Sequence, residues 1–182
     1  MDEKGAIYMN FDYDLFESKL NEELEKCLKS HLNEKEDMYI LSVEYWPDFT
    51  TFVTLRANTY SYLETQTDPS DDEVDYLYYK FCEEEWDGYE NMEELDKMLQ
   101  EHYNWLEEED ADEEICEEHT DKIIDICKAA LKKVKDTDVY KEYPELYLNF
   151  YIREYFSEDE CIETFKELNG EKAAIEYAKW LV

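Results

Sequence analysis

Turn-forming residues are scarce, with only 3 Gly and 3 Pro in 182 residues, so turns are few and elements long, as in a helix-rich protein. Cations are scarce too: 18 Lys and Arg stand against 51 Asp and Glu, for a formal charge of −33 and an isoelectric point near 4.2. Phosphate is held by neutralising it with Lys and Arg, so direct binding to nucleic acid or to an anionic membrane is not expected. No apolar run reaches the ~18 residues of a membrane span, and the acidic start Met1-Asp2-Glu3-Lys4 has no signal-like apolar stretch behind it. The five cysteines, Cys27, Cys82, Cys116, Cys127 and Cys161, are odd in number and form no C-x-x-C pair. Buried reduced thiols explain them better than a disulfide framework or a zinc knuckle, and a cytoplasmic setting is expected. Enzyme signatures are missing as well: no G-x-S-x-G, no phosphate-cradling glycine loop, no H-E-x-x-H, and three histidines in all. Carboxylates are so common that they single out no catalytic dyad, and no cofactor is implied.

What remains is a chain with 43% hydrophobic and 16% aromatic residues, enough apolar material to fold despite its charge. No linker interrupts it, which points to one domain over residues 1–182. Phe16, Leu20, Leu24, Cys27, Leu28 and Leu32 recur at helical spacing. Met38 to Tyr45 and Thr51 to Ala57 read as strands joined through Trp46-Pro47-Asp48-Phe49, and after the polar loop Asp68-Pro69-Ser70-Asp71-Asp72 the aromatic run Tyr76 to Phe81 reads as a third. The rest reads as helix. One segment opens on Asn91-x-x-Glu94, with Met92, Leu95, Leu99, His102 and Leu106 on one face; the next runs from about Asp112 to Lys135, with Cys116, His119, Ile123, Cys127, Ala130 and Val134 as its stripe. Pro144 suits the start of a central helix through Tyr147, Leu148, Phe150, Tyr151, Ile152 and Tyr155. Ser157-x-x-Glu160 is a capping box, Asn169-Gly170 a helix stop, and Ala174, Tyr177, Ala178 and Leu181 mark a last helix. The expected class is α+β: a small antiparallel sheet of about three or four strands packed against several helices, with a helical C-terminal half.

Two acidic segments are candidates for binding a partner. Glu107, Glu108, Glu109 and Asp110 begin a run continuing through Asp112, Glu113 and Glu114. Part of this suits the amino terminus of the following helix, and the excess suits a basic partner. Glu83, Glu84, Glu85, Trp86 and Asp87 place a large aromatic among four acids, as an anchor for a cationic partner would, although a tryptophan that simply packs over the sheet gives the same pattern. Cys116-x-x-His119, with His102 or Cys127, has the spacing of metal ligands, but packed core residues explain it better.

Ala57-Asn58-Thr59, Lys80-Phe81, Glu85-Trp86, Leu148-Asn149-Phe150 and Leu168-Asn169-Gly170, taken together, resemble the uncharacterised bacterial domain-of-unknown-function family four-three-zero-three. Phe81-Cys82 stands where a Trp-containing lead-in is usual. The resemblance implies a cytoplasmic α+β domain without established activity, some of whose relatives are suspected of being immunity proteins beside bacterial toxins. Asn58, Thr59, Lys80, Glu85 and Trp86 are matching positions of no assigned role. The leading expectation is an acidic domain that binds a basic or neutral protein, in the manner of a toxin-neutralising protein. The alternatives are an acidic mimic of nucleic-acid charge that inhibits a DNA- or RNA-binding protein, and an enzyme of unrecognised type.

Overall fold

The structure is a computed structural model, described here for residues 11–47, 51–68, 70, 72–152 and 155–181. Of the expectations above, those on Met1 to Lys4, on Asp48 and Phe49 of the hairpin turn, and on Pro69 and Asp71 of the polar loop lie outside these residues.

Helix α1 (Tyr13–Glu34) starts where the Asp12 carboxylate accepts the Leu15 N–H, and stops at Lys35, which takes a left-handed φ of 60°. Its buried stripe is Phe16, Leu20, Leu24, Cys27 and Leu28; Leu32, expected to extend it, is 37% exposed because the helix end runs past the core. Strands β1 (Met38–Trp46) and β2 (Phe52–Thr59) pair antiparallel, as their sequences indicate. Thr59 then caps the short helix α2 (Tyr60–Gln66), its hydroxyl accepting the Tyr62 N–H.

The run Tyr76 to Phe81 is not a strand. It belongs to helix α3 (Glu73–Phe81), whose amino terminus is capped by Asp72 accepting from Val74 and Asp75. Leu77, Lys80 and Phe81 turn inward at i, i+3 and i+4 while Val74, Tyr76 and Tyr78 stay exposed, so packing overrides the strand preference of adjacent aromatics. A single 3-10 turn (Glu83–Glu85) leads into strand β3 (Gly88–Asn91). Gly88 is required there, since a Cβ would stand 2.6 Å from the Ala57 carbonyl oxygen on β2.

Helices α4 (Glu93–Glu108) and α5 (Glu113–Val134) form the next hairpin. The expected Asn91/Glu94 cap is absent, because Asn91 is in β3 and Met92 occupies the cap position. After α6 (Asp138–Lys141) the expected central helix is instead strand β4 (Tyr147–Ile152). Leu148, Phe150 and Ile152 alternate with Tyr147, Asn149 and Tyr151, and each set finds its own layer of neighbours. The capping box of α7 (Glu158–Asn169) forms as expected, Gly170 stops it at φ 86°, and α8 (Glu171–Leu181) follows.

The strand order is β3-β2-β1-β4, with β1 and β4 parallel, so the sheet is mixed where a purely antiparallel one was expected. One face carries Leu41, Val43 and Tyr45 of β1, Val53, Leu55 and Ala57 of β2, and Leu148, Phe150 and Ile152 of β4, packed with the stripes of α1, α4 and α5. The other face packs against Leu63, Leu77, Phe81, Cys161, Phe165, Ala173 and Tyr177 from α2, α3, α7 and α8. Phe165 and Tyr177 stack there with ring centroids 4.1 Å apart and planes 5° from parallel. Each fully buried ring on such a face stabilises by about 1.5–3 kcal/mol. Among the described residues no helix is long and apolar enough to cross a membrane.

Candidate functional site

The Glu83 to Asp87 segment does not form one surface. In the strand register Ser42 lies opposite Arg56 on one side and Asn149 on the other, and Glu44 opposite Thr54 and Tyr151, which aligns a polar stripe on the second face of the sheet. The 3-10 turn lies over this stripe. The Glu83 carboxylate accepts a short hydrogen bond from Asn149 Nδ2, and Asn149 Nδ2 also reaches Ser42 Oγ at 3.3 Å. Arg56 donates from Nε to Glu44 Oε2 at 2.9 Å and from Nη1 to the Glu83 carbonyl at 3.4 Å, and its guanidinium sits 5.0 Å from the Tyr89 ring centroid. Burial pushes the Glu83 carboxyl up to about 8, with the Glu44 charge adding to it. Glu83 is 4% exposed and Trp86 5%, so neither is available as a surface anchor; the half-buried Arg56 and the buried Asn149 draw the turn inward. Glu84 and Asp87 remain exposed, and Glu85 is half-buried, accepting from Tyr78 Oη at 2.8 Å.

The second acidic segment does face solvent. Glu107, Glu108, Glu109 and Asp110 are all exposed where α4 ends, and Asp110 takes a left-handed φ of 51°, a conformation that aspartate tolerates. Asp112 then caps α5 by accepting the Ile115 N–H. Beside this tip a cleft of about 360 Å³ opens between the start of the described chain, α4 and α5. His102 and His119 meet in it with ring centroids 4.3 Å apart, Trp105 stacks on His102 at 5.5 Å, and Phe11 packs against both imidazoles. Tyr13 Oη lies 2.9 Å from His119 Nδ1. His102 Nδ1 and His119 Nε2 are buried without a hydrogen-bond partner among the described residues. Burial lowers both imidazoles, His119 to about 3 with help from His102 and Lys122, so both are neutral near pH 7. Asp112, Glu114 and Glu118 line the same cleft.

The sequence places His102 and His119 on the apolar stripes of consecutive helices, and that is the signal that could have brought them together. Trp105 and Tyr13 carried none, because only the hairpin packing closes the cleft. Cys116 and Cys127 do not join the two histidines as a ligand group among the described residues.

A family model described as "Domain of unknown function (DUF4303)" matches residues 19–170. The chain belongs to this family. No curated protein and no solved structure matches the chain. Of the residues that carried the resemblance in this DUF4303 domain, Asn58, Lys80, Phe81, Trp86 and Asn149 gather on the second face of the sheet, while Ala57, Leu148, Phe150 and Leu168 pack on the first. Asn58 donates to Tyr39 Oη at 3.0 Å, Tyr39 Oη donates to the Lys80 carbonyl at 2.9 Å, and Thr59 caps α2. Lys80 is 6% exposed, its ammonium paired with Glu176 at 2.7 Å and 5.4 Å from the Tyr147 ring centroid. These contacts tie Asn58, Thr59 and Lys80 into the packing of this chain, and Trp86 is buried in the cluster on the same face.

Proposed function

We propose that this DUF4303 domain is a binding protein that receives a cationic side chain of a basic protein partner in the cleft between α4 and α5. The observation that carries the reading is the pair of neutral, buried imidazoles with unpartnered ring nitrogens at the base of an aromatic cleft. If His119 Nδ1–H donates to Tyr13 Oη, Nε2 faces a guest as an acceptor. A guanidinium donates in a fork, stacks on an aromatic face such as that of Trp105, and finds countercharge in Asp112, Glu114 and Glu118, which outnumber the Lys122 ammonium in the same lining. The exposed Glu107 to Asp110 run extends the negative field and would speed encounter with a basic partner. Trp105 thus takes the anchoring part that Trp86 cannot, since Trp86 is buried. A cytoplasmic, toxin-neutralising protein is the form of this function that the resemblance suggests, and the five free thiols suit a reducing compartment.

A short arginine-rich peptide serves as the probe. Proton NMR of the three histidines should show His102 and His119 shifting saturably while His31 does not. Trp105→Ala should weaken the peptide about tenfold or more, and Glu107→Gln or Glu108→Gln only two- to threefold. Binding that falls steeply with salt, ignores Trp105→Ala and shifts no imidazole would overturn the cleft and favour the charge-mimic alternative.

A further inference from the structure

Away from that cleft, three residues of different chemistry converge between the end of α1 and the edge strand β3. Cys27 and His31 are one turn apart on the same face of α1. Glu90 lies opposite Leu55 in the β2/β3 register and so reaches the same layer. One ligand-capable atom from each of Cys27, His31 and Glu90 lies within 4.8 Å of the other two. His31 Nδ1 also makes a short hydrogen bond with Glu36, the second residue past the helix.

We propose that Cys27, His31 and Glu90 form a binding site for a zinc-class divalent ion that ties α1 to the edge of the sheet. Thiolate sulfur, imidazole nitrogen and carboxylate oxygen are the three donor types that zinc takes, and three protein ligands leave a fourth position for water. Ligand atoms around a tetrahedral zinc stand roughly 3.5 Å apart, so closure needs the three groups to draw together by about 1 Å. The long side chain of the half-buried Glu90 has the freedom for this. Glu36 supplies what a metal-ligating histidine requires. An ionised carboxylate only accepts, so in neutral His31 the proton sits on Nδ1 and Nε2 keeps the lone pair for the ion.

Glu23 and Glu36 add negative charge around the three ligands, with Lys26 beside them. Lys26 and Asn91, the chain neighbours of two ligands, line a cleft of about 280 Å³ that offers an approach from outside. Four residues long, β3 has little ladder of its own, and an ion would fasten it to the helix.

Cobalt(II), then zinc(II), titrated into the full-length chelator-treated protein tests the site. An acidic surface takes up divalent ions by carboxylates alone, so the reading is the thiolate-to-cobalt charge-transfer band, with the intense d–d bands of four-coordinate cobalt. One equivalent should develop these bands and zinc should displace it. Cys27→Ala should abolish the charge-transfer band and Cys116→Ala should leave it intact. His31→Gln and Glu90→Gln, at positions partly open to solvent, should each weaken cobalt binding tenfold or more even if Cys27→Ala folds poorly. Glu36→Gln should weaken it roughly 10- to 100-fold. Cobalt uptake without a thiolate band, a band that survives Cys27→Ala, or affinity unchanged in both His31→Gln and Glu90→Gln would overturn the proposal.

Discussion

Glu83 shows how one buried side chain can set a pH dependence. In the unfolded chain its pKa is the ordinary 4.5, and in the fold burial raises it to about 8. Between these values the native state holds a proton that the unfolded state has lost, so stability falls as pH rises from about 4.5 through about 8. Glu83→Gln keeps an oxygen for Asn149 and removes the titration. The variant should come within about 1 kcal/mol of the parent near pH 5 and exceed it by about 4 kcal/mol at pH 8.5, as measured by urea unfolding at both pH values. A parent that is the more stable at pH 8.5 would mean that Arg56 holds Glu83 ionised.

At the scale of elements, the edges of the sheet are closed by side chains from neighbouring helices. On the β4 edge, Asn169 at the end of α7 accepts the Leu148 N–H at 2.8 Å and donates to the Leu148 carbonyl at 2.7 Å, standing in for a further strand. Beside β3, the Asp96 carboxylate on α4 accepts the Val53 N–H at 2.8 Å. Asn169→Ala leaves both polar groups of Leu148 without partners and should cost about 1–3 kcal/mol, with faster hydrogen exchange at the Leu148 amide. A loss below 0.5 kcal/mol, with that amide still protected, would show that the edge does not depend on Asn169.

For the molecule as a whole, two buried groups oppose each other. His119 falls from 6.5 in the unfolded chain to about 3 in the fold, so the unfolded state binds the extra proton and stability is lost as pH drops from 6.5 toward 3. Glu83 acts in the other direction above 4.5. Together they place a broad stability maximum near pH 5.5, and thermal unfolding across pH 4 to 9 should trace a flat-topped dome centred there. The −33 charge makes the compact state self-repelling, so added sodium chloride should raise Tm at pH 7. A Tm that falls with salt would mean that attractive pairs such as Arg56–Glu44 outweigh the repulsion.

Much of this molecule was legible in its residues. The α1 stripe, the β1/β2 pair, the start of α5 near Asp112 and the Ser157/Glu160 box depend on periodicity and on side chains that act on their own backbone, and such signals are local. The same holds for the exposed acids at the α4/α5 tip, because a run of carboxylates has nowhere to go but solvent. Tertiary structure decided what depends on distant partners. Tyr76 to Phe81 and Tyr147 to Ile152 are both dense in aromatics, and only their neighbours made the first a helix and the second a strand. Trp86 and Glu83 went inside because Arg56 and Asn149, remote in the chain, stand on the sheet face that the turn covers. The meetings of His102 with His119, and of Cys27 and His31 with Glu90, are likewise products of packing: no spacing along the chain encodes the distance between side chains on separate elements.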